Sequence, residues 1–261
     1  LPGIIDSHSH LQHPAFDPDR DAVLERAREA GITRIVVPGW DRASSEAAVA
    51  LAATHPDLLV PAVGIHPHHA AEAAEADWEA IETLAAEPAV GAIGEIGLDF
   101  FRLLAPAEAQ REALARQLTL AARVGKPVLV HDRDAHEEVT ATLAAWPGPP
   151  RRALRGVLHC FSGDLGMATR LAAAGYLVSF ALPVTFRSAQ GPRAAVGALP
   201  ADAIMVETDA PWLGPGADRR NEPTTVLRVA AEIARLRGEA PATIALGAGR
   251  ALARLLEPVG A

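Results

Sequence analysis

Short runs rich in valine, isoleucine and leucine alternate with longer alanine-rich amphipathic segments along this chain, and that alternation restricts its fold more than any other feature. A short apolar run reads as a buried strand and a longer segment of 3.6-residue period as a helix, so each pair is one βα unit of a parallel sheet. Strands are predicted at Gly3 to His8, Arg34 to Pro38, Leu58 to Ile65, Val90 to Gly97, Pro127 to His131, Gly156 to His159, Tyr176 to Phe180 and Ala203 to Asp209. That is the number a closed barrel needs. The expected fold is α/β, a TIM-like (β/α)8 barrel forming a single domain over residues 1–261.

Helices are predicted at Asp19 to Ala30, Ser44 to Thr54, Asp77 to Ala86, Ala107 to Val124, Ala135 to Trp146, Leu165 to Ala174, Pro192 to Leu199, Pro223 to Arg237 and Pro241 to Leu256. Gly31, Gly125 and Gly175 stand where a left-handed C-terminal cap is wanted, just before a strand reopens. No Ser/Gly-rich linker, low-complexity tract or like-charge block divides the chain.

With 49% hydrophobic residues the chain can bury a large core, and its formal charge of −8 argues against coating nucleic acid by bulk electrostatics. The single cysteine, Cys160, forms no internal disulfide and excludes a zinc ribbon, which suits a reducing cytoplasm. The first strand begins within three residues of Leu1 and no apolar run is long enough to span a bilayer. A cytoplasmic protein is expected, with no signal peptide, no membrane association and no obligate protein partner.

In a βα barrel the chemistry sits at the C-terminal ends of the strands. His8 and His10 close the first strand in Asp6-Ser7-His8-Ser9-His10, and a period of two projects both imidazoles the same way. Glu95 lies late in the fourth strand, His131 ends the fifth, His159 the sixth and Asp209 the eighth. Any one of these alone is more often a cap or a satisfied hydrogen-bonding group. Together they are too many ligands for one tetrahedral zinc and suit two divalent cations bridged by a carboxylate. The only lysine, Lys126, precedes the fifth strand and so belongs to the opposite end, which leaves Glu95 as the bridge. His8, His10, Glu95 and Asp209 are assigned to one cation, and Glu95, His131 and His159 to the other. Imidazoles favour Zn2+ or Mn2+, while carboxylates and phosphoryl chemistry also admit Mg2+.

Other polar residues belong near that rim. Arg102 and Arg133 are each either phosphate holders or solvated loop residues. His66 is expected to hydrogen-bond a substrate phosphate and His68 to be structural or exposed. Glu207 shares a face with Asp209 but lies deeper, where it supports a ligand, and Cys160 is packed.

The order and spacing of seven motifs carry a family resemblance: Asp6-Ser7-His8-Ser9-His10-Leu11, Gly64-Ile65-His66-Pro67-His68, Gly94-Glu95-Ile96-Gly97-Leu98-Asp99, His131-Asp132-Arg133-Asp134-Ala135, His159-Cys160-Phe161-Ser162-Gly163, Glu207-Thr208-Asp209-Ala210-Pro211 and Arg220-Asn221-Glu222-Pro223. Across nearly its whole length the chain resembles the TatD-related metal-dependent hydrolases, the TatD-family DNases. The resemblance implies a barrel with two divalent cations on the same ligands and DNA strand ends as substrate, cleaved stepwise from the 3′ end. One departure is Phe100-Phe101, where members usually carry tyrosines.

The leading expectation is therefore phosphodiester hydrolysis by a cation-activated water, with Asp209 as general base and Glu95 as bridge. Trp212 and Phe161 are the candidates for stacking on a base. Two alternatives use the same residues: an amide or ester hydrolase, such as a lactonase or a D-aminoacyl-tRNA deacylase, and a metal-binding protein without turnover.

Overall fold

The computed structural model describes residues 3–216 and 220–257. Its sheet has eight parallel strands in sequential order: β1 (Ile4–Asp6), β2 (Ile32–Pro38), β3 (Leu59–Val63), β4 (Ala92–Asp99), β5 (Val128–Arg133), β6 (Gly156–Leu158), β7 (Tyr176–Phe180) and β8 (Ile204–Val206). Between and after them run α1 (Arg20–Glu29), α2 (Arg42–Thr54), α3 (Glu75–Ala85), α4 (Ala107–Val124), α5 (His136–Ala145), α6 (Leu165–Ala173), α7 (Gln190–Ala198), α8 (Val226–Arg237) and α9 (Pro241–Leu256). The TIM-like barrel is the fold the alternation predicts. Gly31, Gly125 and Gly175 have φ of +80°, +71° and +88°, the left-handed conformation expected of them.

The strands read as apolar runs because both of their faces are covered, one by helices and the other by the barrel interior. Val36, Val63, Ile93, Val130, Val178 and Val206, one from each of six strands, are fully or almost fully buried. Each such side chain contributes roughly 1.5–3 kcal/mol of transfer free energy, most of it offset by the entropy of ordering the chain.

Four strands stop earlier than predicted, β3 at Val63 and β6 at Leu158 among them, and the other two matter most for the site. β1 ends at Asp6 and β8 at Val206, so His8, His10 and Asp209 lie beyond the regular ladder. The barrel closes there through single bonds: Ser7 N–H to the Val206 carbonyl at 3.0 Å, Asp209 N–H to that of His8 at 2.9 Å, and His10 N–H to that of Ala210 at 2.7 Å. At this seam the Thr208 N–H donates to the Asp6 side chain instead of to a neighbouring strand, which interrupts the ladder. Among the described residues no helix is long and apolar enough to cross a membrane.

Candidate metal centre

The strand ends bring His8, His10, Glu95, His131, His159 and Asp209 to one point. The two oxygens of Glu95 face different neighbours. Oε2 lies 3.3 Å from His8 Nε2 and 3.4 Å from His10 Nε2, and Asp209 Oδ1 is 3.6 Å from that same His10 nitrogen. Oε1 lies 2.9 Å from His159 Nε2 and 3.0 Å from His131 Nδ1, with His66 Nε2 at 3.4 Å. A buried carboxylate thus stands between two groups of ring nitrogens.

These spacings fit divalent cations. Ligand atoms that share an ion at about 2.0–2.1 Å lie roughly 3 Å from one another. His8 Nε2 and His10 Nε2 are 3.1 Å apart, and so are His131 Nδ1 and His159 Nε2. Such approaches suit lone pairs converging on an ion, since two ring nitrogens share at most one proton between them. His8 Nδ1 and His159 Nδ1 are buried without a hydrogen bond.

The charge states of these groups differ. Burial pushes His8 down to about 4 and His66 down to about 3, so both are neutral at pH 7, the form that ligates. Burial alone would raise Glu95, but His159, His66 and His8 hold it well below the carboxylate range. Burial also opposes protonation of His159 and His131, yet Glu95 and Glu207 raise the first well above the ordinary imidazole value, and Asp99 and Glu95 raise the second. Protons there balance the carboxylates, and a bound cation would displace them.

Neighbouring groups aim the rings. His10 Nδ1 lies 3.0 Å from the Pro38 carbonyl and so carries the proton, which frees Nε2. His131 Nε2 is 3.2 Å from Asp99 Oδ2, which also holds His68 Nε2 at 2.8 Å. Glu207 occupies the supporting position its register suggests: Oε1 accepts the Cys160 N–H at 2.6 Å and lies 3.4 Å from His159 Nδ1. Gly97 has φ of +147°, and a Cβ there would overlap the His131 carbonyl. Cys160 and Asp209, at φ of +44° and +55°, are non-glycine residues in the left-handed region.

The remaining expectations sort by depth. His66 is buried against Glu95, deeper than the arginines with which it was grouped. Arg102 and Arg133 line the mouth of a cavity of about 910 Å³ that opens over the cluster, and the Arg133 guanidinium lies 4.2 Å from the centre of the Phe101 ring. Phe161 is buried beside Phe180 and offers no stacking surface. Lys126 donates to the Ala85 and Glu87 carbonyls at 2.6 Å, outside the centre. Sequence reasoning gave Asp99 no role, although it shares a strand face with Glu95 at a spacing of four, and it passed over Trp40 and His13.

Barrel and centre together define a metal-dependent hydrolase of the α/β-barrel type, an enzyme acting on ester bonds. Residues 5–256 match the family described as TatD related DNase, and the chain belongs to that family. It is 37% identical over 236 residues to the uncharacterized metal-dependent hydrolase YabD of Bacillus subtilis (strain 168), covering 90% of this chain and 91% of the relative. It is likewise 37% identical over 237 residues to the 3'-5' ssDNA/RNA exonuclease TatD of Erwinia tasmaniensis, with coverage of 88% and 90%. Among solved structures, YJJV, a TatD homolog from Escherichia coli K12, superposes with a TM-score of 0.90 at 32% identity over 97% of both chains.

Proposed function

We propose that this enzyme is a deoxyribonuclease that removes nucleotides one at a time from the 3′ end of a DNA strand, at a centre of two divalent cations bridged by Glu95. The observation that carries the reading is the division of the Glu95 oxygens between His8 and His10 on one side and His131 and His159 on the other. Relatives named as 3'-5' ssDNA/RNA exonucleases support the substrate.

His8, His10, Glu95 and Asp209 would hold one cation, and Glu95, His131 and His159 the other. When bound, such a pair supplies Lewis acidity toward phosphate oxygen and lowers the pKa of water toward about 7. Asp209 keeps 16% side-chain exposure against 5% for Glu95, so of the two it is the more open to the cavity that both line. It takes the proton of the attacking water and hands it on toward the leaving oxygen. Arg102 and Arg133 hold the non-bridging oxygens and fix the phosphate for in-line attack. His66 lines the same cavity against Glu95, where it would hydrogen-bond a substrate phosphate.

The test is a 5′-labelled single-stranded oligonucleotide incubated with Mg2+, Mn2+ or Zn2+, with lactone and D-aminoacyl-tRNA substrates in parallel. Stepwise shortening from the 3′ end that is lost in Asp209→Asn and Glu95→Gln is expected. Turnover of the acyl substrates alone would sink the nuclease reading.

A further inference from the structure

We infer that Trp212, buttressed by Trp40 and His13, is a platform on which a base of the substrate stacks beside the phosphate being cleaved; the inference rests on the nuclease reading above. Trp212 follows β8, Trp40 follows β2 and His13 follows β1, so three adjacent strand ends build one aromatic wall of the cavity. The Trp40 and Trp212 rings stand 6.4 Å apart at 78°. His13 lies 5.3 Å from Trp212 and 5.7 Å from Trp40.

Packing does not account for that wall. Trp212 is 46% exposed, and an indole at the rim of a cavity buries too little surface to serve the core. Its neighbours nevertheless hold it in one orientation, which lowers the entropy a ligand must remove on binding. A flat, rigid, open aromatic face is what a nucleobase recognises, and it accepts every base because each has a π-face.

Position within the cavity selects the nucleotide. His10 touches both groups of residues: its ring is 4.8 Å from that of Trp212, and its Nε2 is 3.4 Å from Glu95 Oε2. One imidazole therefore separates the platform from the cation corner, an offset matched within a single nucleotide by a base and its own phosphate. Phe101 and Arg102 follow β4 and Arg133 ends β5, strands which the strand order sets across the mouth from β8, β1 and β2. The strand thus lies with phosphate over the centre and arginines and with base against the tryptophan. A base in the interior of a duplex is stacked on both faces and presents neither to Trp212, so the platform selects single-stranded or frayed ends.

The experiment compares oligonucleotides that differ only in whether the 3′-terminal and penultimate nucleotides carry bases or are tetrahydrofuran abasic analogues. For wild type, Trp212→Ala and Trp212→Phe, the ratio of kcat/KM on base-bearing to abasic substrate is measured. The ratio is expected to fall about tenfold in Trp212→Ala, mostly through KM, and to recover in Trp212→Phe, because one stacked base supplies an effect of about that size. Quenching of tryptophan fluorescence by the base-bearing oligonucleotide in chelator should shrink in Trp212→Phe. An unchanged ratio overturns the platform and leaves the nuclease reading standing. Absence of nucleotide release from either DNA by the wild type overturns both.

Discussion

The carboxylate of Asp6 accepts two hydrogen bonds from Thr208, one from the backbone N–H at 2.9 Å and one from the hydroxyl at 2.6 Å, across a separation of 202 residues. It also accepts the N–H of His8 at 3.3 Å. One buried side chain therefore ties the segment carrying His8 and His10 to the segment carrying Asp209, at the seam where regular strand pairing has ended.

Asp6→Ala should destabilise the protein by about 3 kcal/mol, since it leaves the buried Thr208 N–H without a partner at roughly 1–3 kcal/mol and adds a small cavity. Asp6→Asn should cost far less, because its amide oxygen still accepts the Thr208 and His8 N–H groups and the Thr208 hydroxyl can rotate to accept from the new amide N–H. Urea unfolding of the two variants checks this. Equal stability of Asp6→Ala and wild type would mean that the backbone bonds alone hold the seam.

Glu95→Gln is expected to empty both cation positions, because the amide offers one neutral oxygen where the carboxylate offers two charged ones. His131→Ala should lose one cation and keep the other. Elemental analysis after dialysis against buffered metal distinguishes them: equal metal content in the two variants would show that Glu95 serves one position only.

How much of this was legible in the sequence depends on how local the cause is. The βα alternation and the left-handed glycines are local signals, and they placed the barrel and its caps. His8 and His10 converge as period two predicts even though β1 stops at Asp6 and the chain bends at Ser7, because the Ser9–Ala210 bridge keeps that segment alongside the one after β8. Strand ends were less legible: Asp6 and Thr208 meet only after the barrel closes, and no pattern within either segment reveals that bond. The same holds for the aromatic wall, whose three members come from three separate loops. Predicted helix Pro223 to Arg237 begins instead with a 3-10 turn at Pro223–Thr225, the α-helix starting at Val226.

Asp99 belongs with the residues that sequence reasoning left without a role, and its geometry predicts a specific effect. It holds His131 and His68 on one oxygen, and its pKa lies far below the carboxylate norm because their hydrogen bonds and the Arg102 N–H overcome the effect of burial. Carboxylates that orient a ligating imidazole typically contribute 10–100-fold in metal affinity. Asp99→Asn should weaken one cation by about that factor and leave the His8 and His10 corner intact. Competition with a chromophoric chelator reads both affinities, and a uniform loss at the two positions would contradict the assignment.

Away from the centre, Glu232 on α8 joins two helices and gives the fold a pH dependence whose sign is fixed. Its carboxylate accepts Arg235 at 2.7 Å and Arg193 of α7 at 2.6 Å, and these bonds, Arg235 first, lower its pKa from 4.5 to about 2. A carboxyl that is more acidic in the folded state binds fewer protons there than in the unfolded chain, so its stabilisation is full above about pH 4.5 and is lost as pH falls toward 2. The group sits near the surface and is partly screened, which reduces its contribution to about 1 kcal/mol. Glu232→Gln should therefore be about 1 kcal/mol less stable than wild type at pH 7, with the gap narrowing between pH 5 and pH 3. Urea titrations at pH 7, 5 and 3 measure that gap; a constant difference across the range would assign the loss to packing rather than charge.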